Sequence, residues 1–375
     1  MLSYNIPQQT LLKLRKISSS FAEKFAEIKN FTNDERAAIN RHARISMIGA
    51  STRIENAILT DPEVDWIDTI LSKDGKTTEF QNNREVIENK LSKDRERSIE
   101  EVAGCRSMLF LIYEQAKDLL PLTETTIRGL HYELMHFYSK AGPYIGQYKK
   151  QPNFVVEHNI RTNESRTVFK TADSGPITEV AMAELLHWYN ETLPAEPWSL
   201  GVSCEFIFRF LAVHPFQDGN GRLGRGLFLL SMLQSPDPII SYLAPYLAID
   251  RHIELHKSEY YFVLNRCSNG VYSSNPSEYK IELFLNFMIK ILEEALNDIA
   301  IYRDRYKLLK ILPNAASRIL DCFKEHPEIR LSNKNIVEAT SLPRKTVINS
   351  LHTLLAGGLI QKYGKGPSVR YQICF

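Results

Sequence analysis

The chain has 375 residues, 43% of them hydrophobic and 24% charged, with a formal net charge of +2 at pH 7. That length calls for two or three domains and supplies ample material for a core, and the composition excludes a disordered or fibrous chain. So small a net charge does not imply a polyanion partner for the molecule as a whole, and five scattered cysteines (Cys105, Cys204, Cys267, Cys322, Cys374) with no C-x-x-C argue against a disulfide framework or a zinc site.

Residues 1–10 lack the basic start and apolar core of a signal peptide, and no run reaches the length of a membrane span. A cytoplasmic protein with no membrane partner is expected. Leu11, Leu12, Leu14, Ile17, Phe21, Phe25 and Ile28 predict a first amphipathic helix. Thr32-Asn33-Asp34-Glu35 is a capping box, so a second helix starts there and carries Ala37, Ala38 and Ile39 toward Met47 and Ile48. Next, Ser51 and Glu55 stand four apart on one helical face, followed by Asn56. On spacing alone this stretch reads better as a further capping box, Thr52-x-x-Glu55, after a break at Gly49.

Asp61-Pro62-Glu63 predicts a helix start with a capping Asp, and residues 74–83 read as a polar loop. A helix is expected over 83–117, ending in Val102, Met108, Leu109, Leu111 and Ile112. Another spans 123–138, with Ile127, Leu130 and Leu134 on one face; His131 and His136 within it have no ligand partner at a sensible spacing and read as structural. The period then changes. Phe154-Val155-Val156 and Thr167-Val168-Phe169 flank a polar turn at 159–165, which predicts a β-hairpin within about 146–170. Residues 177–193 return to helix.

The densest chemistry lies at His214-Pro215-Phe216-Gln217-Asp218-Gly219-Asn220-Gly221-Arg222-Leu223-Gly224-Arg225. A helix precedes it, with Ile207, Phe210 and Leu211 on one face, and Pro215 limits that helix. A buried helix follows, from Gly226 through Leu233. Gly219 and Gly221 let the backbone turn and bare its N–H groups where a helix begins, which favours an anion. Arg222 and Arg225 are three apart and can share a face, and guanidinium groups grip phosphate oxygens in pairs. Asp218 is an oxygen ligand of the kind Mg²⁺ uses beside phosphates. His214 is a candidate general base, with an ordinary pKa of about 6.5. Together they read as a site for a nucleotide polyphosphate, a metal and a hydroxyl to be activated.

These residues match the Fic-domain signature H-P-F-x-[D/E]-G-N-G-R-x-x-R at every defined position, and the sequence resembles a Fic protein over most of residues 35–300. The resemblance implies transfer of AMP from ATP to a protein hydroxyl. It makes His214 the base that deprotonates a target Tyr, Ser or Thr, and Asp218 the Mg²⁺ ligand. It makes Gly219, Asn220, Gly221 and Arg222 phosphate contacts, with Arg225 on the γ-phosphate and Phe216 the buried anchor of the loop. Phosphate-transferring relatives carry Lys where this chain has Gly221, which disfavours that variant. Ser51 to Asn56 fits the family's inhibitory-helix motif [S/T]-x-x-x-E-[G/N]; the resemblance implies that Glu55 pairs with Arg225 in place of the γ-phosphate. In some relatives the same glutamate serves AMP removal. The hairpin resembles the family's flap, which docks the target protein by strand addition, but its usual proline-rich tail is replaced by Thr171-Ala172-Asp173-Ser174-Gly175-Pro176.

Beyond the motif, Ser235-Pro236-Asp237-Pro238 breaks the chain, and helices are expected at 242–249, 256–267 and 281–309. Tyr260 and Tyr261 resemble a tyrosine pair of the family that lines the adenine pocket, although core aromatics are an equal reading; Asn265 is a further candidate. Helices at 315–323, 333–340 and 344–356 and strands at 359–362 and 369–373 resemble a winged helix-turn-helix. From residue 339 onward there are five Lys/Arg and no Asp or Glu. Arg344, Lys345 and Asn349 on the third helix, with Lys362, Lys365 and Arg370 in the wing, are candidate nucleic-acid contacts. A protein-binding or dimerising winged helix is the alternative, and the N-terminal helices are a second candidate dimer surface.

The expectation is therefore a mainly α protein. An N-terminal helical region (1–100) carries the inhibitory motif 51–56, a Fic-type core (101–310) carries the flap, and a winged helix-turn-helix closes the chain (311–375). The expected activity is protein adenylyltransfer with ATP and Mg²⁺. The rivals are an enzyme that removes AMP and a DNA-binding regulator whose core senses nucleotide.

Overall fold

The computed structural model describes residues 1–72, 80–159 and 164–374. Part of the expected loop at 74–83 and part of the hairpin turn at 159–165 lie outside them. Among the described residues the chain is mainly helical. The first helices are α1 (Gln8–Lys29), α2 (Asn33–Ile54), α3 (Asp61–Leu71), α4 (Phe80–Leu91), α5 (Glu96–Gln115) and α6 (Glu124–Met135). The hairpin β1 (Phe154–Asn159) and β2 (Glu164–Lys170) follows, then α7 (Pro176–Thr192), α8 (Ser199–Val213), α9 (Asn220–Leu233), α10 (Pro238–Leu243), α11 (Ile249–Leu255), α12 (Lys257–Ser268) and α13 (Ile281–Lys310). The chain ends with α14 (Asn314–Glu325), α15 (Asn333–Thr340), α16 (Arg344–Ala356), β3 (Ile360–Tyr363) and β4 (Arg370–Ile373).

The chain forms two compact units, Met1–Ala57 with Glu100–Ile299, and Ile58–Ile99 with Ala300–Phe375. A boundary falls at 99/100, but residues 1–57 group with residues 100–299, and residues 58–99 group with the C-terminal part of the chain.

In the first unit, α8 and α9 are buried along nearly their whole length. Their apolar faces point all round, as expected of helices at the centre of a core. Phe206, Phe208 and Phe210 of α8 are fully buried, and the Ser203 and Ser231 hydroxyls join the two helices at 2.7 Å. The Thr32 hydroxyl accepts from Glu35 N at 3.1 Å while Glu35 Oε2 accepts from Thr32 N at 2.8 Å, so the expected capping box starts α2. The helix then runs unbroken through Gly49. The Thr52 hydroxyl donates back to the Ile48 and Gly49 carbonyls, which overturns the reading of Thr52-x-x-Glu55 as a second capping box. Glu55 is instead the C-cap of α2, and Asn56 takes φ 74°, a left-handed conformation that Asn and Gly tolerate best.

One other expectation in this unit shifts. The stretch 242–249 is not one helix: α10 ends at Leu243, a 3₁₀ turn containing Pro245 follows, and α11 begins at Ile249. Pro245 has no N–H to continue the ladder. The β1–β2 hairpin is antiparallel, with Phe154 opposite Lys170 and an irregularity at Val155/Val156.

In the second unit, α3 is capped one residue earlier than expected. Glu63 Oε2 accepts from both the N–H and the hydroxyl of Thr60, leaving Asp61 as the first helical residue. The helix expected over 83–117 is split into α4 and α5 at Ser92, whose φ of 83° cannot continue a helix. The helices α14, α15 and α16 enclose Ile319, Phe323, Ile336, Val347, Leu351 and Leu354, and the antiparallel β3–β4 ribbon pairs Ile360 with Ile373. This is a helix-turn-helix with a β-wing.

Candidate active site

His214 ends α8 in a left-handed conformation (φ 53°, ψ 59°) that a non-glycine residue adopts at some cost. The surrounding structure holds it there. Its N–H donates to Phe210 O at 2.8 Å, and its carbonyl accepts from Asn153 Nδ2 at 3.2 Å. Ring Nδ1 lies 3.2 Å from Leu211 O, so Nδ1 carries the proton and Nε2 keeps its lone pair. Burial, then the charge of Lys149, lowers the ring's pKa to about 4, so it is a neutral base at pH 7.

Lys149 is buried and its ammonium is fully committed: it donates to Asn153 Oδ1 (2.9 Å), Thr171 Oγ1 (3.0 Å) and Val213 O (2.9 Å). Burial pulls its pKa down to about 8. Asn153 Nδ2 also donates to Phe216 O at 2.7 Å, and Lys149 N donates to Pro215 O at 2.7 Å. The segment leading into β1 therefore stitches down the loop that displays His214. From the other side, His131 stacks on Phe216 with ring centroids 3.8 Å apart, and its Nε2 lies 3.0 Å from Asp218 O. Its Nδ1 accepts from Gly146 N at 3.0 Å, and burial holds the ring neutral, with a pKa near 4.

Gly219 caps α9 with φ 80°, so the loop turns and the first N–H groups of α9 open onto a cavity of about 220 Å³. His214, Asp218, Gly219, Asn220, Gly221 and Arg225 all line it. The Asn220 amide, however, turns back on its own loop: Oδ1 accepts from Phe216 N at 2.9 Å and Nδ2 donates to Phe216 O at 2.7 Å. Its side chain fixes the turn rather than offering a phosphate donor. Arg222 is buried and absent from the cavity lining. Its Nη2 lies 3.4 Å from Asp218 Oδ1 and its Nη1 3.7 Å from Glu101 Oε1, so it braces Asp218 from beneath.

The Asp218 side chain is 52% exposed at the cavity mouth. Among the described residues no cluster of three or more His, Cys, Asp or Glu forms a protein cage. One open carboxylate beside an anion-binding helix end is the donor set Mg²⁺ uses when phosphate oxygens and waters supply the rest.

Arg225 is 3% exposed and makes a dense set of contacts. Its Nη2 donates to Glu55 Oε1 at 3.0 Å and to Ser51 O at 2.8 Å, and its Nε donates to Ser51 Oγ at 3.1 Å. Asp250 Oδ2 lies 3.5 Å from Nε. Burial alone would depress its pKa, but Glu55 and Asp250 outweigh that and raise it, so Arg225 is always charged. The Glu55 carboxylate lies so close over Gly221 that a Cβ there would collide with Oε1. It therefore sits on the exposed start of α9, where an anion is favoured. Arg53 holds this helix end by a two-point pair with Glu254 (2.8 and 2.9 Å), and Lys257 Nζ caps Ile54 O at 2.6 Å. Asn56 is exposed, with Oδ1 3.4 Å from Lys257 Nζ.

Tyr260 and Tyr261 are buried and line the same cavity, with Leu264 beside them. Asn265 does not join them. Its Nδ2 donates to Val168 O of β2 at 2.7 Å, so it ties the hairpin to α12. Phe154 and Val156 of β1 line the cavity while remaining 49% and 44% exposed. In the second unit, Arg344, Lys345 and Asn349 are exposed on α16, and Lys362 and Lys365 are exposed in the wing. Arg370 is half-buried and folds back, with Nη1 donating to Val369 O at 2.9 Å.

Lys149, Asn153 and Asp250 escaped the sequence reading. Nothing in their neighbourhoods marks them, because each reaches its partner across the fold.

Residues 121–232 match the Fic/DOC family model, and residues 316–363 match the model of the IclR helix-turn-helix domain. The chain is similar to a solved Fic family protein from Desulfovibrio desulfuricans G20, 21% identical with TM-score 0.57, over 100% of this chain and 98% of that one. It is similar to a Fic domain containing signaling protein from Bacteroides thetaiotaomicron VPI-5482, also 21% identical, with TM-score 0.56 over 78% and 98% of the two chains. Fic-1 from C. elegans is 15% identical with TM-score 0.53, over 76% of this chain and 72% of that one. At these identities the likeness is one of fold. Residues 121–232, which include the loop after His214, thus match a domain of the Fic/DOC family, and residues 316–363 match a helix-turn-helix domain.

Proposed function

We propose that this chain is a protein adenylyltransferase that moves AMP from ATP to a Tyr, Ser or Thr hydroxyl, and that its own residue Glu55 holds it inactive. One observation carries the reading: the Glu55–Arg225 pair at 3.0 Å lies over the N-terminus of α9, in the cavity that His214 lines. A carboxylate occupies the place where that helix end and that arginine would receive the terminal phosphate. The cavity, about 220 Å³, is correspondingly small beside the roughly 300–1,000 Å³ of ordinary ligand sites.

When Glu55 withdraws, Arg225 and the Gly219–Gly221 backbone are free to grip the β- and γ-phosphates. Asp218 would hold Mg²⁺, which neutralises phosphate charge, and Arg222 keeps Asp218 in place. The base on Tyr260 and Tyr261 completes the pose. His214 Nε2 takes the proton of the target hydroxyl, whose oxygen attacks the α-phosphorus in line. A new P–O bond forms to the target, the bond to the β-phosphate oxygen breaks, and pyrophosphate leaves. The phosphates' own negative charge raises the basicity of His214 once ATP is bound. The target segment adds as a strand along β1, where Phe154 and Val156 offer apolar anchors.

The test uses ATP labelled at the α- or the γ-phosphate, a Glu55→Gly protein, Mg²⁺ and cell lysate. Protein-bound label from the α position alone, lost on adding His214→Ala, supports AMP transfer. Label from the γ position would contradict it. Release of AMP from an AMPylated substrate without forward labelling would favour the reverse reaction.

A second role is favoured by one observation. Arg344, Lys345 and Asn349 share the exposed face of α16 with no acidic residue from 339 onward, which suits a DNA backbone. DNA binding that weakens steeply with salt, and is lost with Arg344→Ala plus Lys345→Ala, would support it. No binding at low salt would end it.

A further inference from the structure

Arg225 has two carboxylate partners, and only Glu55 belongs to the inhibitory motif. The other, Asp250, opens α11 and is 2% exposed. Its Oδ2 lies 3.5 Å from Arg225 Nε, while Glu55 Oε1 meets Nη2 at 3.0 Å. Among the described residues the buried Asp250 Oδ1 atom has no hydrogen-bond partner. An orphaned carboxylate oxygen in a protein core calls for an explanation. With Glu55 docked, the guanidinium's single positive charge faces two negative ones, Asp250 in the core and the part-exposed Glu55 at the cavity.

We propose that Asp250 is a positioning residue that acts through Arg225: its standing charge partly satisfies the guanidinium, so that Glu55 and the terminal phosphate are each held loosely enough to exchange. The proposal rests on the reading of Arg225 as the arginine for which Glu55 and phosphate compete. Two like charges sharing one cation repel each other, and the burden falls on whichever is free to leave. Glu55 sits at a helix end with its side chain 32% exposed, whereas Asp250 is locked in the core. Burial pushes the Asp250 carboxyl up to about 6 despite Arg225, which fits a crowded, over-neutralised site. Tyr260 and Tyr261 also stand beside the guanidinium, and the Ser51 hydroxyl and carbonyl keep Arg225 oriented whatever the charge at 250.

The sign of the effect is unusual. Asp250→Asn keeps the shape and an acceptor for Arg225 Nε while deleting only the charge. It should therefore tighten both competitors rather than loosen the site. Hydrogen–deuterium exchange at residues 49–57 of the otherwise native chain should slow about tenfold, as one pKa unit of repulsion is relieved. In a Glu55→Gly background the same change should tighten ATP binding about tenfold, and in turnover the effect should fall on KM more than on kcat. Asp250→Ser deletes the same charge with a smaller side chain and replaces the amide if that variant melts early. A merely structural role predicts the reverse, with faster exchange and weaker ATP binding, and that result, or no change in exchange, would overturn the proposal. Slower exchange in a protein that binds no ATP even without Glu55 would uphold Asp250 as the counterion and refute the nucleotide reading instead.

Discussion

The two halves of the candidate site are held in different ways. The loop from His214 to Gly221 is fixed by contacts to its own backbone and to the buried Phe216 ring: Asn220 closed on Phe216, Asn153 on the His214 and Phe216 carbonyls, and His131 stacked beneath. The end of α2 packs Ser51, Thr52 and Ile54 inward, but its rim is held by long charged side chains, Arg53 to Glu254 and Lys257 to Ile54 O, and by Glu55 itself. Buried hydrogen bonds leave an unsatisfied group when broken and so resist displacement. Rim ion pairs are worth little and can be outcompeted. On the proposed reading, the half that displays His214 is preorganised and the half that carries Glu55 is releasable.

Substitutions in the two halves should then move activity in opposite directions. The largest loss is expected at the base. In an unlocked Glu55→Gly protein, His214→Ala should lower AMP transfer about 10²- to 10⁴-fold with ATP binding retained, measured by label incorporation and calorimetry. Asn220→Ala strips the partner from the buried Phe216 N–H and one of the two donors from its carbonyl, which keeps Asn153. It should destabilise the catalytic unit by about 3 kcal/mol, read from denaturant midpoints, and lower transfer with it.

Lys149→Met should lower kcat by about tenfold or more by freeing the His214 loop, and it should also move the pH profile. The free base has a pKa near 4, so kcat/KM of the unlocked enzyme should stay level from pH 7 to about 5 and fall only below that. Removing the neighbouring cation raises the ring's pKa, so the acid limb should move to higher pH in the variant. The same depressed pKa links to folding. The unfolded chain takes up this proton below about 6.5 and the folded one only near 4, so stability should decline as pH falls through that window. The smallest effect is expected at the rim. Arg53→Ala, in the chain that keeps Glu55, should raise basal transfer about two- to fivefold, the range of a part-exposed ion pair.

The chemistry that was legible in the sequence is the part written contiguously. From His214 to Arg225, base, carboxylate, turn glycines and guanidinium follow one another within a single turn, so type and order alone suggest a phosphate site. Glu55 was legible only with the motif in view, since Thr52 and Glu55 also satisfy the spacing of a helix start. What separates the readings is tertiary: α2 continues through Gly49 because its far end packs in the core, and Thr52 bonds backward. Asn220 and Arg222 were assigned to phosphate by position, yet Asn220's amide closes the loop and Arg222 props Asp218. Lys149, Asn153 and Asp250 were invisible because their roles depend on partners 61 or more residues away for the first loop contact and on the buried face of α9 for the last. Element ends failed where one residue decided them: Ser92 at positive φ, Pro245 in its 3₁₀ turn, and Thr60 taking the cap from Asp61.

The most direct test of the account is ATP binding and α-label transfer measured side by side in the native chain and in Glu55→Gly. If Glu55 occupies the terminal-phosphate position, its removal should tighten productive ATP binding and raise label transfer at least about tenfold, since a partly buried pair with Arg225 is lost only in the variant. Equal label and equal affinity in the two proteins would mean that the Glu55–Arg225 pair is no brake, and the account of this site would fail.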